Sequence, residues 1–293
     1  MPNKTPVYRF APSPNGELHL GHAFSAILNF ELAKRSGGRF LLRIEDIDQA
    51  RSTPEFIDAI TRDLKWLGLE WEEPVRVQSH HMGTYRAALT KLEELGLLYP
   101  CFASRKEIAA AVSKPANPPL DPDGALVYPG IFRNTSKDEI ESRRTNGEPF
   151  ALRLDMTRAI ETLNSHKQWP LSYIEVNPSG AHQRITCDPT RWGDIVIARK
   201  DLHTSYHLSV VVDDAIQKIT HVTRGLDLQA ATDIHRVLQA FLDLPEPIYH
   251  HHKLITDKDG QKLSKSISST SLRALRDDGT TPEQIWASFG LIK

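Results

Sequence analysis

Val7-Tyr8-Arg9-Phe10-Ala11-Pro12-Ser13-Pro14-Asn15-Gly16-Glu17-Leu18-His19-Leu20-Gly21-His22 is the stretch that decides the fold. Val7 to Ala11 reads as a short strand, and Pro12 to Gly16 as a turn. From about Leu20 the spacing predicts a helix to Ser36, with Phe24, Ile27, Leu28 and Leu32 on one side and Gly37-Gly38 as the stop. A strand that turns into a helix N-terminus points free backbone N–H groups outward, and parallel α/β sheets bind phosphate there. His19 and His22 flank Gly21 at that point. Their rings can donate N–H groups to phosphate oxygens, and the glycine admits a ligand close to the backbone.

A second motif, Lys262-Leu263-Ser264-Lys265-Ser266, begins 240 residues after His22. Its two ammonium groups and the Ser264 hydroxyl can meet the same phosphates from the other side, with Gly260 as a hinge. Alone, the first motif also fits a helix start with two surface histidines, and the second a basic loop. Together and in this order they resemble the paired motifs of class I aminoacyl-tRNA synthetases, which implies adenylate chemistry, in which a carboxylate attacks the α-phosphate of ATP and pyrophosphate leaves. Charge then builds on phosphoryl oxygens, and donors and cations aimed at them lower the barrier.

Outward from the motif, Arg39 to Ile44 reads as a second strand. Thr53-Pro54 opens a helix carrying Phe56, Ile60, Leu64 and Leu67, which Gly68 ends. A third helix is predicted over about His80 to Leu95, with Tyr85, Leu89 and Leu92 inward. Strands are predicted at Ile195 to Ala198, Leu208 to Val212 and Ile219 to Val222, and a helix at Thr232 to Leu242. The fold class that follows is α/β: a doubly wound parallel sheet of Rossmann type. Residues 1–98 and 193–244 are its two halves and 99–192 an inserted subdomain. Residues 245–293 hold the Lys-rich loop and a short C-terminal helical segment. The proline-rich run 114–130 is left without assigned structure.

With 36 Lys+Arg against 37 Asp+Glu, the chain is no generic polyanion binder, so DNA is not an expected partner. A local basic face still suits RNA, and residues 253–276 carry six Lys/Arg against two Asp. Two cysteines argue against a disulfide framework. No apolar run reaches the roughly 20 residues a membrane span needs, and no signal peptide is evident, so a cytoplasmic protein without a membrane partner is expected.

Arg9 to Ser13, His19 to His22, Arg43-Ile44-Glu45-Asp46-Ile47-Asp48, Tyr206-His207-Leu208, Val211-Val212-Asp213-Asp214, Thr223-Arg224-Gly225 and Lys262 to Ser266 resemble, in this order, the motifs of class I glutamyl-tRNA synthetases. The resemblance implies ATP with Mg2+ as substrate, L-glutamate as amino acid and a tRNA as acceptor. It implies that His19, Gly21, His22, Lys262, Ser264 and Lys265 bind ATP, with His19, His22, Lys262 and Lys265 catalytic. It implies a glutamate pocket of Arg9, Ala11, Ser13, Glu45, Tyr206 and Arg224. The two guanidinium groups would take the γ-carboxylate and Glu45 the α-ammonium, which favours glutamate over glutamine. Of Asp213 and Asp214, one is expected to face the site and the other only to satisfy backbone donors; both stay outside the site set.

The chain departs from that pattern in three places. Val210 stands where the family carries an asparagine four residues after the tyrosine, which predicts weaker glutamate binding. Many relatives hold zinc through Cys-x-Cys and Tyr-x-x-x-Cys; here Cys101 is followed by Ala103, and Tyr128 by Phe132 at the last position. No structural zinc is expected from one thiol and one phenol. The sequence also lacks a long extension after the Lys loop, so no anticodon-binding domain is expected. In this the chain is similar to the truncated glutamyl-Q tRNA(Asp) synthetases. That likeness implies transfer of glutamate to queuosine in the anticodon of tRNA-Asp, which no residue here shows by itself. A minimal synthetase charging a tRNA 3′ end, and an inactive nucleotide-binding regulatory module, are the alternatives.

Overall fold

The computed structural model describes residues 5–112, 118–177, 179–253 and 270–290. Strands β1 (Val7–Phe10), β2 (Arg39–Ile44) and β3 (Glu72–Val77) pair in parallel in that order, linked by helices α1 (Leu20–Arg35) and α2 (Pro54–Trp66). Helix α3 (Met82–Glu94) follows, then β4 (Leu98–Cys101), α4 (Arg105–Val112), α5 (Lys137–Thr145), β5 (Ala151–Leu154) and α6 (Met156–Ser165). Next come β6 (Ser172–Val176), β7 (His182–Thr186), β8 (Val196–Ala198), α7 (Tyr206–Ile216), β9 (His221–Gly225), α8 (Thr232–Leu242) and β10 (Ile248–His252). Short helices α9 (Leu272–Asp277) and α10 (Pro282–Ser288) close the described chain.

The second half adds a sheet in the order β7-β6-β10-β9, parallel except for β7. Its β9 end lies beside β1, joined where Thr220 N donates to Val7 O (3.1 Å) and Val7 N donates to the Thr220 hydroxyl (2.8 Å). The chain therefore winds one way from β1 to β3 and the other way from β9 to β10. The crevice at such a reversal, outside the carboxyl ends of the strands, is where open α/β sheets bind ligands. Within the expected insertion, β4 and β5 form a separate antiparallel sheet with β8, whereas β6 and β7 extend the main sheet through β10.

Strand alternation sorts the two faces. Tyr8, Phe10, Phe40, Leu42 and Ile44 pack with residues of α1, α2, α9 and α10. Val7 and Leu41 pack with residues of α3, α6, α7 and α8. Arg9 and Arg43 occupy the same period-2 positions as Val7 and Leu41, so they enter this second, otherwise apolar face. Helix α1 meets the sheet through Ala23, Ala26, Ile27 and Ala33, with Leu32 packed alongside; of the predicted side Ile27 and Leu32 face the core, whereas Phe24 and Leu28 are only half-buried. Small side chains let the helix lie close, and Phe24 turns toward Phe289 and His252 instead.

Leu208 to Val212 is not a strand. It lies inside α7, which Ser205 caps by accepting from Leu208 N (3.4 Å). Leu208 through Asp214 is buried throughout, and a run buried on every side carries no apolar period to separate helix from strand. The predicted helix Thr232 to Leu242 coincides with α8. Strands β3, β6, β7 and β10 fall outside the predicted elements, and each is short or rich in polar residues. Among the described residues no helix is long and apolar enough to cross a membrane.

Candidate active site

His19 is the N-cap of α1, and its Nδ1 accepts from Gly21 N (3.0 Å). His22 reaches back, its Nδ1 accepting from His19 N (3.2 Å), which makes a reciprocal capping box of two imidazoles. The rings lie 3.8 Å apart between centroids, tilted by 30°. Because both Nδ1 atoms accept, each neutral ring keeps its hydrogen on Nε2, leaving two outward N–H donors beside the free backbone N–H groups of the helix. A Cβ on residue 21 would stand 2.9 Å from His19 Cε1, so the glycine makes room for the capping ring as well as for a ligand.

Burial lowers the pKa of His19, and burial together with the neighbouring His19 ring lowers that of His22 to about 4. A free histidine titrates near 6.5, so the unfolded chain binds this proton first as the pH falls. Stability tied to His22 is thus present above about pH 6.5 and lost as pH falls toward 4. Replacing His22 by Ala is expected to remove roughly 0.5–2 kcal/mol of capping near neutral pH. The same substitution flattens the loss between about pH 6.5 and 4, and urea unfolding of both proteins along that range measures it.

Arg9 and Arg43 leave the sheet on one face and meet α7. Asp214 accepts from Arg9 Nε (3.1 Å) and Arg43 Nη1 (2.7 Å), while Arg43 Nη2 also donates to Glu45 (2.9 Å). Glu45, 8% exposed, is raised in pKa by burial against the opposing pull of Arg43. Asp213 faces the other way and accepts from Arg76 (2.7 Å), Gln78 (2.8 Å) and the Tyr85 hydroxyl (2.8 Å). Asp214 thus bonds the predicted Arg9, whereas Asp213, rather than only satisfying backbone donors as one of the pair was expected to, accepts from three side chains and ties β3 and α3 to α7. Asp46 accepts from Ser79 N (2.8 Å) and the Ser79 hydroxyl (2.6 Å) and holds the turn after β3.

Arg224, near the end of β9, is 5% exposed and has a different shell. Its Nη2 donates to the Thr232 hydroxyl (2.8 Å), and its Nη1 to His235 Nδ1 (3.2 Å) and the Tyr206 hydroxyl (3.3 Å). Its Nε donates to His251 Nε2 (3.3 Å), across the β9–β10 pairing. The other nitrogen of His251 meets the Glu175 carboxylate from β6, which also accepts from Gln229 (3.1 Å). Burial, then Arg224, pushes His251 down to about 2, so the ring is neutral and Nδ1 is the donor to Glu175. All four groups bonded to Arg224 are uncharged.

A cavity of about 300 Å³ opens here, lined by Ser13, Glu45, Tyr206 and His207 and also by Asp48, Arg51 and Arg199. Arg224 reaches it through Tyr206, and Arg9 connects to Glu45 through Asp214 and Arg43. Ala11 is half-buried at the end of β1, and Val210 is 2% exposed in the core. A hollow of about 490 Å³ beside Lys65, Gly68 and Trp71 contains none of the predicted residues. Lys262, Ser264 and Lys265 lie outside the described residues. In the described residues that follow, Ser271 bridges to His19 and Leu272 N donates to Leu18 O (2.7 Å). Sequence reasoning missed Arg43, Asp214, Thr232, His235 and His251 as site members. Arg43 and Asp214 stand inside the quoted motifs, but the other three carry no local signal.

The four positions at which the family resemblance would place zinc ligands converge as well. Cys101, Ala103 and Tyr128 share a small cluster with Tyr99, and Phe132 packs against it. Cys101 Sγ donates to the Tyr128 hydroxyl (3.4 Å), which also accepts from Phe132 N (2.9 Å). A methyl and a phenyl ring take the other two places, and this set does not fit a tetrahedral metal.

The chain belongs to the class I tRNA synthetases: residues 7–292 match the family described as tRNA synthetases class I (E and Q), catalytic domain. It is therefore an enzyme of the synthetase-type ligase class. It is 46% identical over 290 residues to the glutamyl-Q tRNA(Asp) synthetase of Rhodobacter capsulatus, covering 97% of this chain and 100% of that protein. It is 38% identical over 292 residues to glutamate–tRNA ligase 2 of Nitrosococcus oceani, of which it spans 58%. The crystal structure of the glutamate-tRNA synthetase of Elizabethkingia anophelis shares the fold, with a TM-score of 0.75 at 23% identity over 96% of this chain; the chain spans 60% of that protein.

Proposed function

We propose that this enzyme activates L-glutamate with ATP and Mg2+ as glutamyl-adenylate and transfers the glutamyl group to queuosine in the anticodon of tRNA-Asp. The observation that carries the glutamate step is Arg224, a buried guanidinium bonded only to neutral groups and joined through the Tyr206 hydroxyl to a cavity that Glu45 also lines. A buried cation without a carboxylate partner invites an anion, and the Glu45 carboxylate, held through one oxygen by Arg43, can still accept from an ammonium. An amino acid with a side-chain carboxylate supplies both. Arg224, with Tyr206 and Arg9, takes the γ-carboxylate; Glu45 takes the α-ammonium; Ala11 and Ser13 border the amino acid.

The α-carboxylate oxygen then attacks the α-phosphorus, and the bond to pyrophosphate breaks. The Nε2–H groups of His19 and His22 and the α1 N-terminus meet the phosphate oxygens, with Gly21 leaving them room. Lys262 and Lys265, with Ser264, complete the cationic surround in this scheme. The acceptor attacks the glutamyl carbonyl, and AMP leaves. In this scheme residues 1–98 and 193–244 carry the nucleotide-binding halves, 99–192 the insertion and 245–293 the C-terminal segment, with β6, β7 and β10 crossing these bounds to join the main sheet and β8 to join the inserted one.

The choice of queuosine is supported by the names of the glutamyl-Q relatives. A second reading, charging of a tRNA 3′ end, is favoured by the relatives named glutamate–tRNA ligases. Incubation with labelled glutamate, ATP and two tRNA-Asp samples, with and without queuosine, decides between them. Label confined to the queuosine-containing sample, and surviving removal of the 3′ nucleotides, is the expected result. Label on both, lost with the 3′ end, would establish the second reading.

A further inference from the structure

Arg224 fixes more than a binding site for a carboxylate. It donates from Nη1 to His235 Nδ1 (3.2 Å). A guanidinium has no acceptor, so His235 Nδ1 holds the lone pair, and the neutral ring carries its hydrogen on Nε2. That Nε2 lies 3.4 Å from His207 Nδ1, which therefore accepts, and the hydrogen of His207 sits in turn on Nε2. Among the described residues no hydrogen-bond partner is found for His207 Nε2, and the side chain lines the cavity with Ser13, Glu45 and Tyr206. A permanently charged group thus decides, through two imidazoles, which nitrogen of His207 is a donor.

Geometry favours this chain in two further ways. His235 lies three residues after Thr232 on the first turn of α8, so one helix end presents both groups to Arg224. His207 is braced edge-on against Trp192, with ring centroids 5.8 Å apart, which limits the directions its free nitrogen can take. A neutral donor also adds a bond to a carboxylate without placing a second buried cation beside Arg224.

We propose that His207 is a further substrate-binding residue, its Nε2–H donating to a carboxylate oxygen of the amino acid, with His235 as the positioning residue that sets its tautomer. The inference rests on the glutamate reading above. Nitrogen-15 NMR of histidine-labelled apoprotein tests the tautomer without any substrate. His207 is expected protonated at Nε2 and bare at Nδ1. This state persists in His235→Gln, whose amide can accept from Arg224 and donate to His207, and is lost in His235→Met.

Added glutamate is expected to shift the His207 Nε2–H resonance. His207→Phe is expected to raise the KM for glutamate in pyrophosphate exchange about 10–100-fold, the loss of one hydrogen bond to a charged group. The KM for ATP stays unchanged, and His207→Gln, which keeps an N–H donor, recovers part of the effect. A hydrogen on Nδ1 of His207, or an unchanged glutamate KM in His207→Phe while the wild type responds to glutamate, would overturn this inference alone. A wild type that shows no response to glutamate at all would overturn the functional reading and this inference together.

Discussion

Replacing Arg224 by Leu is expected to lower kcat/KM for glutamate-dependent pyrophosphate exchange by about 10²–10⁴-fold. The estimate takes two charge-assisted hydrogen bonds to the γ-carboxylate at roughly 1.5–3 kcal/mol each, with about 1.4 kcal/mol per factor of ten. The leucine also leaves the Tyr206 and Thr232 hydroxyls and two imidazoles without their shared donor. Arg224→Lys keeps the charge but not the fork, and retains activity between the two. Discrimination against glutamine collapses in the leucine variant, where a neutral amide no longer gives up a charged partner, and weakens less in the lysine variant, which keeps the cation. Exchange assays with glutamate and glutamine over a range of concentrations read this directly. Retention of activity within tenfold in the leucine variant would show that the carboxylate binds elsewhere.

The largest effect on stability is expected at Asp214. Its carboxylate, 7% exposed, accepts from both Arg9 (3.1 Å) and Arg43 (2.7 Å). Burial alone would raise its pKa, but Arg9 and Arg43 outweigh burial and hold it below the usual carboxylate value. Asp214→Asn leaves the buried Arg9 without its anion, and breaking one side of a buried pair costs about 3–5 kcal/mol. A depressed carboxylate contributes stability above its unfolded value near pH 3.9, and that stability is lost as pH falls through the lower folded value. The wild type therefore loses more stability than the variant on acidification below about pH 4, while near neutrality the variant is the weaker. Urea unfolding at several pH values measures both differences. Equal midpoints near neutrality would show that Arg9 and Arg43 are adequately held by other groups.

These two residues also show where the sequence was informative. Arg224 stood out because its neighbours form a recognisable string, whereas its partners His235 and His251 lie 11 and 27 residues away and meet it only through the α8 cap and the β9–β10 register. Asp214 was ambiguous because it sits in a helix whose seven consecutive buried residues carry no period, and its partner Arg43 is 171 residues distant. By contrast, α2 and α8 were legible from caps and apolar spacing. The histidine pair was legible because its capping contacts are local, two and three residues apart. Local hydrogen bonding leaves a trace in a string; cross-strand pairing of distant segments does not. Glu175 illustrates the limit, since β6 lies in the irregular stretch read as an insertion yet completes the shell of Arg224 through His251.

The alternation of β1 and β2 has an evolutionary consequence. On these strands every second residue belongs to the oily packing under α1, and its neighbours carry Arg9 and Arg43 to the other side. Gaining or losing one residue within either strand would exchange the two sets, driving guanidinium groups into hydrocarbon and apolar side chains into the crevice. Replacement within β1 and β2 can keep this sorting whereas a change of length cannot, so insertions and deletions are expected in surface connections such as the turn around Asp121 to Gly124.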